Sequence, residues 1–94
     1  MLKKSDIKIE RLHPLKESGP LKAFCDLLIL NSFVIKGLRI VQGKEGLFLG
    51  MPQEQSRDGK WYDTFFPVSP DTRKMLQEYV ISEYDTFKNN IQIS

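Results

Sequence analysis

Apolar and polar residues alternate through Asp6-Ile7-Lys8-Ile9-Glu10-Arg11-Leu12, the pattern of a strand with one wet face. A polar loop follows from His13-Pro14 to Gly19-Pro20. Leu21, Ala23, Cys25, Leu27 and Ile29 then line one face of a second strand, with Lys22 and Asp26 on the other. Asn31-Ser32 lies between two apolar runs, as the pair at the centre of a hairpin turn would. Phe33 to Gln42 reads as a third strand: Val34, Leu38 and Ile40 share a face with Lys36, while Phe33, Ile35 and Val41 share the other with Arg39. Apolar residues on both faces predict a strand that is covered twice or paired with a second subunit. Gly46 to Met51 is a short fourth strand. Arg57-Asp58-Gly59-Lys60 is a turn leading into the β-rich run Trp61 to Phe66.

The period then changes. Ser69 is placed to cap a helix, Pro70 suits its first position and Asp71 complements the dipole. Met75, Leu76, Tyr79, Val80 and Phe87 recur at three- and four-residue spacing, widened by Ile81 and Tyr84, so the spacing predicts an amphipathic helix of roughly four turns. Strands followed by one helix give an α+β domain: a small, mostly antiparallel sheet of about five strands and a C-terminal helix. A single domain is expected over residues 1–87, with 88–94 a frayed tail.

Composition narrows the class. With 94 residues, 40% hydrophobic and 28% charged, the chain is expected to be a soluble globular protein with one modest core, which a dimer would extend. The net charge of +2 is small but unevenly spread: residues 1–44 carry +5 and residues 45–94 carry −3. A basic first half hints at a polyanion partner, although a solvated strand face is the commoner source of such a pattern. Cys25 is the one cysteine, which excludes an internal disulfide and a multi-thiolate metal site and suits a reducing compartment. Lys3, Lys4 and Asp6 precede no apolar segment of the secretory kind, and the apolar stretch Phe24–Ile35 is too short to span a bilayer. The expectation is a cytoplasmic protein without membrane contact.

The chemistry-bearing patterns are few. Gly43-Lys44-Glu45-Gly46-Leu47-Phe48-Leu49-Gly50-Met51-Pro52 holds three of the six glycines, yet it matches neither a P-loop nor a dinucleotide fingerprint. Gly43-Lys44-Glu45-Gly46 has the GXXG form of KH domains, but that loop joins two helices and here the flanks are strands. A tight turn with Lys44 at its tip is the better reading. His13, the one histidine, stands beside Pro14 in a loop, and no Ser/His/Asp set or metal-ligating cluster is visible. No catalytic residue, metal, cofactor or small-molecule substrate is therefore assigned. Arg73 and Lys74 are more suggestive. Both fall in the first turns of the helix, where the macrodipole disfavours cations, so a phosphate contact is one reading and a solvated face with Lys74 beside Glu78 the other. Arg57 and Lys60, followed by Trp61 and Tyr62, form a second basic and aromatic cluster, with core packing as the alternative role for the aromatics.

Taken in order, Lys36-Gly37-Leu38-Arg39-Ile40-Val41, Gly43–Pro52, Arg57-Asp58-Gly59, Phe66-Pro67-Val68 and Asp71-Thr72-Arg73 through Glu83-Tyr84 closely resemble the stage V sporulation protein G (SpoVG, septation regulator) family. The match is collinear from about residue 5 to residue 85, and the GLF-x-x-MP and DTR elements are its most specific parts. The resemblance implies a bacterial cytoplasmic homodimer that binds DNA, with RNA as a second target, and regulates gene expression and division septation without catalysis. It also implies that basic residues opening the last helix matter for binding, which here are Arg73 and Lys74. Arg57, Lys60 and Lys44 would lengthen that footprint. Two positions depart from the family pattern: Gln53-Glu54-Gln55 stands where relatives often carry Lys or Arg, and Phe66 stands where they carry His. A protein–protein adaptor of the division machinery remains the alternative.

Overall fold

The computed structural model describes residues 2–16 and 19–93. A single 3-10 turn at Lys4–Asp6 leads into β1 (Ile7–Pro14), β2 (Leu21–Ile29), β3 (Phe33–Gly43) and β4 (Gly46–Gly50). These four form one antiparallel sheet in the order β1-β2-β3-β4. Two three-residue strands, β5 (Gln53–Gln55) and β6 (Trp61–Asp63), make a separate hairpin, and α1 (Pro70–Ile93) closes the chain. The α+β class with its antiparallel sheet and C-terminal helix is thus observed.

One face of the sheet carries the core. Ala23, Cys25 and Leu27 from β2 and Leu38 and Ile40 from β3 are fully buried, and Leu76, Val80 and Tyr84 of α1 pack onto them. The helix buries this stripe because its apolar residues recur every three to four positions, so one side meets the sheet and the other meets water. It lies chiefly along β4, where Gln77 reaches the strand edge: the Leu49 amide donates to Gln77 Oε1 at 3.4 Å. That contact occupies a backbone donor that β4, as an edge strand, presents outward.

Several details differ from the sequence expectation, each for a local reason. Ile35, and not Val34, shares the core side with Leu38 and Ile40, because β3 carries an extra residue at Gly37. Cys25 pairs with Leu38 and Leu27 with Ile35, so one step on β2 is matched by a longer one on β3, and the inward parity changes there. Gly37 adopts φ +86, a conformation that glycine reaches without a Cβ penalty, and its amide donates to Asp26 Oδ1 at 3.2 Å. The β1–β2 ladder shifts at the same level, between Ile9 and Arg11, which explains why Leu12 rather than Arg11 continues the inward set. His13 and Pro14, expected to open the loop, instead end β1, where they pair with Phe24 and Ala23.

The β2–β3 turn centres on Leu30-Asn31, one residue earlier than Asn31-Ser32: both have φ 54, and the Ser32 amide donates to the Ile29 carbonyl at 2.9 Å. The helix, 24 residues long, exceeds the expected four turns and runs on to Ile93. No glycine or proline follows Tyr84 to stop it. Polarity also hid a strand: Gln53-Glu54-Gln55 pairs with Trp61–Asp63, although nothing in that polar triplet has a strand's hydrophobic signature.

Candidate nucleic-acid interface

The helix start is built as its residues dictate. Ser69 Oγ accepts from the Thr72 amide at 3.0 Å and donates to Thr72 Oγ1 at 2.9 Å, while the Arg73 amide donates to the Ser69 carbonyl at 3.1 Å. Pro70, first in the helix, has no amide to satisfy. The cap therefore fixes where Arg73 and Lys74 leave the chain, and both side chains are exposed. Gln77, which docks on the β4 edge, stands one turn further along, at i+4 from Arg73 and i+3 from Lys74.

Lys44 sits at the tip of the β3–β4 turn. Gly43 pairs with Gly46, leaving Lys44-Glu45 as the turn, with Gly46 at φ +124. This turn borders a cleft of about 470 Å³ that Gln77 also lines, together with Leu47 and Phe48. Lys44 therefore stands near Gln77, beyond the helix start that holds Arg73 and Lys74.

Arg57 and Lys60 lie elsewhere, at the tip of the β5–β6 hairpin. The Gly59 amide donates to the Ser56 carbonyl at 3.0 Å, and the Ser56 amide to the Lys60 carbonyl at 2.8 Å, with Gly59 at φ +88. This is a type I turn closed by a glycine bulge. Asp58 organises it: Oδ1 accepts from Ser56 Oγ and from the Lys60 amide. Those hydrogen bonds, the Ser56 one foremost, hold the Asp58 carboxyl below its ordinary pKa. Both cations are exposed. The hairpin leans over the sheet face that α1 leaves bare, since Gln53 and Trp61 share a depression with Phe24, Gly37 and Arg39 of the sheet. The five basic residues therefore do not form one cluster: Arg73 and Lys74 open the helix, Lys44 tips the β3–β4 turn, and Arg57 and Lys60 tip the β5–β6 hairpin. Trp61 and Tyr62 do not fill the core, for both are exposed.

That bare face carries residues the sequence pattern did not assign to a site. Cross-strand pairing sets His13, Phe24, Arg39 and Gly50 in one row. Arg39 Nη2 donates to the Met51 carbonyl at 3.3 Å. A Cβ added to Gly50 would stand 3.1 Å from Arg39 Nη2 and 3.4 Å from Cζ and Nε, so the guanidinium lies close across the bare Gly50 backbone. The outward turn of Phe24 was legible, because it alternates with Ala23 and Cys25; its partners depended on register.

Burial, with Asp26 adding to it, pushes the Cys25 thiol up to about 12, which keeps it protonated and inert. Among the described residues, no group of three His, Cys, Asp or Glu side chains is placed to share a metal ion, and no helix is long and apolar enough to cross a membrane.

A four-stranded antiparallel sheet with one C-terminal helix packed on one face defines a small α+β domain. Comparison with known proteins gives the family: the SpoVG model matches residues 2–86, and the chain belongs to the SpoVG family. A protein of Archaeoglobus fulgidus is 35% identical over 80 residues, covering 85% of this chain and 94% of its own. One from Caldanaerobacter subterraneus subsp. tengcongensis is 30% identical over 89 residues, covering 95% and 94%. One from Clostridium perfringens is 30% identical over 79 residues, covering 84% and 88%. Each of the three is named "Putative septation protein SpoVG". Those names point to a role other than catalysis.

Proposed function

We propose that this chain is a non-catalytic, cytoplasmic, homodimeric regulator that binds DNA, with RNA as a second target, and acts on gene expression and septation. The observation that carries this reading is the exposed Arg73-Lys74 pair at a capped helix start. Two adjacent exposed cations favour phosphate oxygens. Arg57 and Lys60 extend the basic surface on the opposite flank. The outer edge of β1 offers a strand through which two copies pair, doubling a small number of phosphate contacts.

With few contacts per subunit, binding is weak and falls steeply with salt. Arg73→Ala combined with Lys74→Ala abolishes the gel shift of a duplex probe at low salt, while size-exclusion chromatography still shows the dimer. Unchanged binding by the double variant rejects the site. A second reading, a protein–protein adaptor, draws on Leu30 and Phe33, two large apolar side chains left exposed at the β2–β3 turn. Absence of binding to duplex and single-stranded probes at low salt supports the adaptor.

A further inference from the structure

The sheet has two faces, and α1 covers only one. On the other, Phe24 is 38% exposed and Trp61 is 62% exposed, and both border a depression of about 440 Å³ with Arg39, Gln53 and Gly37. Beside it, a second depression of about 280 Å³ is lined by Glu10, Arg11, Asp26, Val34 and Lys36. Phe48, exposed as well, occupies the next row of the same face, two residues from Gly50 on β4.

We propose that this bare sheet face is a stacking platform for an unpaired nucleic-acid strand, with Phe24, Trp61 and the Arg39 guanidinium receiving bases and Arg11 and Lys36 meeting the phosphates. The proposal rests on the reading that the chain binds nucleic acid, and it adds the strandedness and a surface distinct from the helix start. Three planar groups surround one depression: two aromatic rings and a guanidinium held flat over Gly50 by its bond to the Met51 carbonyl. Every base has a π-face, so such a surface takes unpaired bases irrespective of sequence, and aromatic side chains on an open sheet are a known way of receiving them. A duplex keeps its bases stacked on each other and offers this surface none.

The charges fit the same occupant. Lys8, Arg11, Lys36 and Arg39 belong to this face, against the carboxylates of Glu10 and Asp26, the latter accepting from the Gly37 amide, so cations outnumber acids on the sheet face. An apolar protein partner would cover the aromatics but would bury those cations without an anion to meet them.

Trp61 is the one tryptophan, so its fluorescence reports the platform directly. Titration at low salt with a single-stranded DNA of about 12 nucleotides, within the span such surfaces bind, quenches Trp61, and the same sequence as a duplex does not. Phe24→Ala weakens single-strand binding, read by anisotropy of a labelled probe, about tenfold, the order expected for loss of one stacking partner. If that variant fails to fold, Trp61→Ala, at an exposed position outside the core, gives the same loss by anisotropy. Binding of the single strand without quenching, or with unchanged affinity in these variants, overturns the platform while leaving the helix-start reading standing. Equal quenching by duplex overturns it too. Conversion of a dimer to a monomer by Phe24→Ala assigns the face to a second copy of the chain and overturns it; failure of every probe to bind overturns both readings.

Discussion

The two faces of one sheet, made by the same strands, have opposite characters. On the side under α1, Ala23, Cys25, Leu27, Leu38 and Ile40 have no exposure at all; on the other, Phe24, Val34 and Phe48 remain in water beside Arg11, Lys36 and Arg39. Alternation along a strand sends neighbours to opposite faces, so each strand serves packing and surface chemistry at once. The difference teaches that stability and recognition are separable here by side-chain parity, and substitutions four residues apart on β3 test this. Leu38→Ala removes a fully buried side chain and costs about 2–5 kcal/mol, whereas Val34→Ala on the bare face costs under about 1 kcal/mol. Urea unfolding followed by far-ultraviolet circular dichroism measures both. Comparable losses contradict the division.

Parity itself depends on the bulge at Gly37. An alanine there meets no clash, its Cβ lying 3.9 Å from that of Pro52, yet φ +86 places it in the left-handed region. Gly37→Ala therefore costs about 1–2 kcal/mol through backbone strain alone. The same urea titration detects it as a lowered midpoint with an unchanged slope, since the folded core is retained. An unaffected midpoint means that the strand accommodates the bulge without glycine.

How far the sequence reveals these features follows from the range of the forces involved. The inward set of β2, the Lys44-Glu45 turn between Gly43 and Gly46, and the Ser69 cap are all local: period, turn chemistry and a side chain bonding three residues ahead. They are legible in the string and present in the fold. The swap of Val34 for Ile35 is not, because the bulge that causes it is a match between two strands and is secured by Asp26, eleven residues away. The polar strand Gln53–Gln55 is similarly hidden, as only pairing with Trp61–Asp63 defines it. At the candidate site, Arg73 and Lys74 could be singled out from helix position alone. The grouping of Phe24, Arg39 and Trp61 could not, since it needs the register of β2 on β3 and the lean of the β5–β6 hairpin.

The smallest effect sharpens the comparison by separating the hairpin from the core it overhangs. Asp58 holds the loop through Ser56 Oγ and the Lys60 amide, and those bonds depress its folded pKa below the ordinary aspartate value. A depressed pKa means the carboxylate form is favoured by the folded loop. Its contribution is therefore fully present above the unfolded value, about 4, and is lost as pH falls through the lower folded value. Acidification through that window should loosen the turn and change the fluorescence of Trp61, which follows Lys60 directly. The fully buried set around Leu38 and Val80 holds no carboxylate, so far-ultraviolet circular dichroism should stay level over the same interval. Asp58→Asn removes the titration, leaving Trp61 fluorescence flat with pH. A Trp61 change that coincides with loss of the sheet signal means instead that hairpin and core unfold together, and that the bare face has no local freedom of its own.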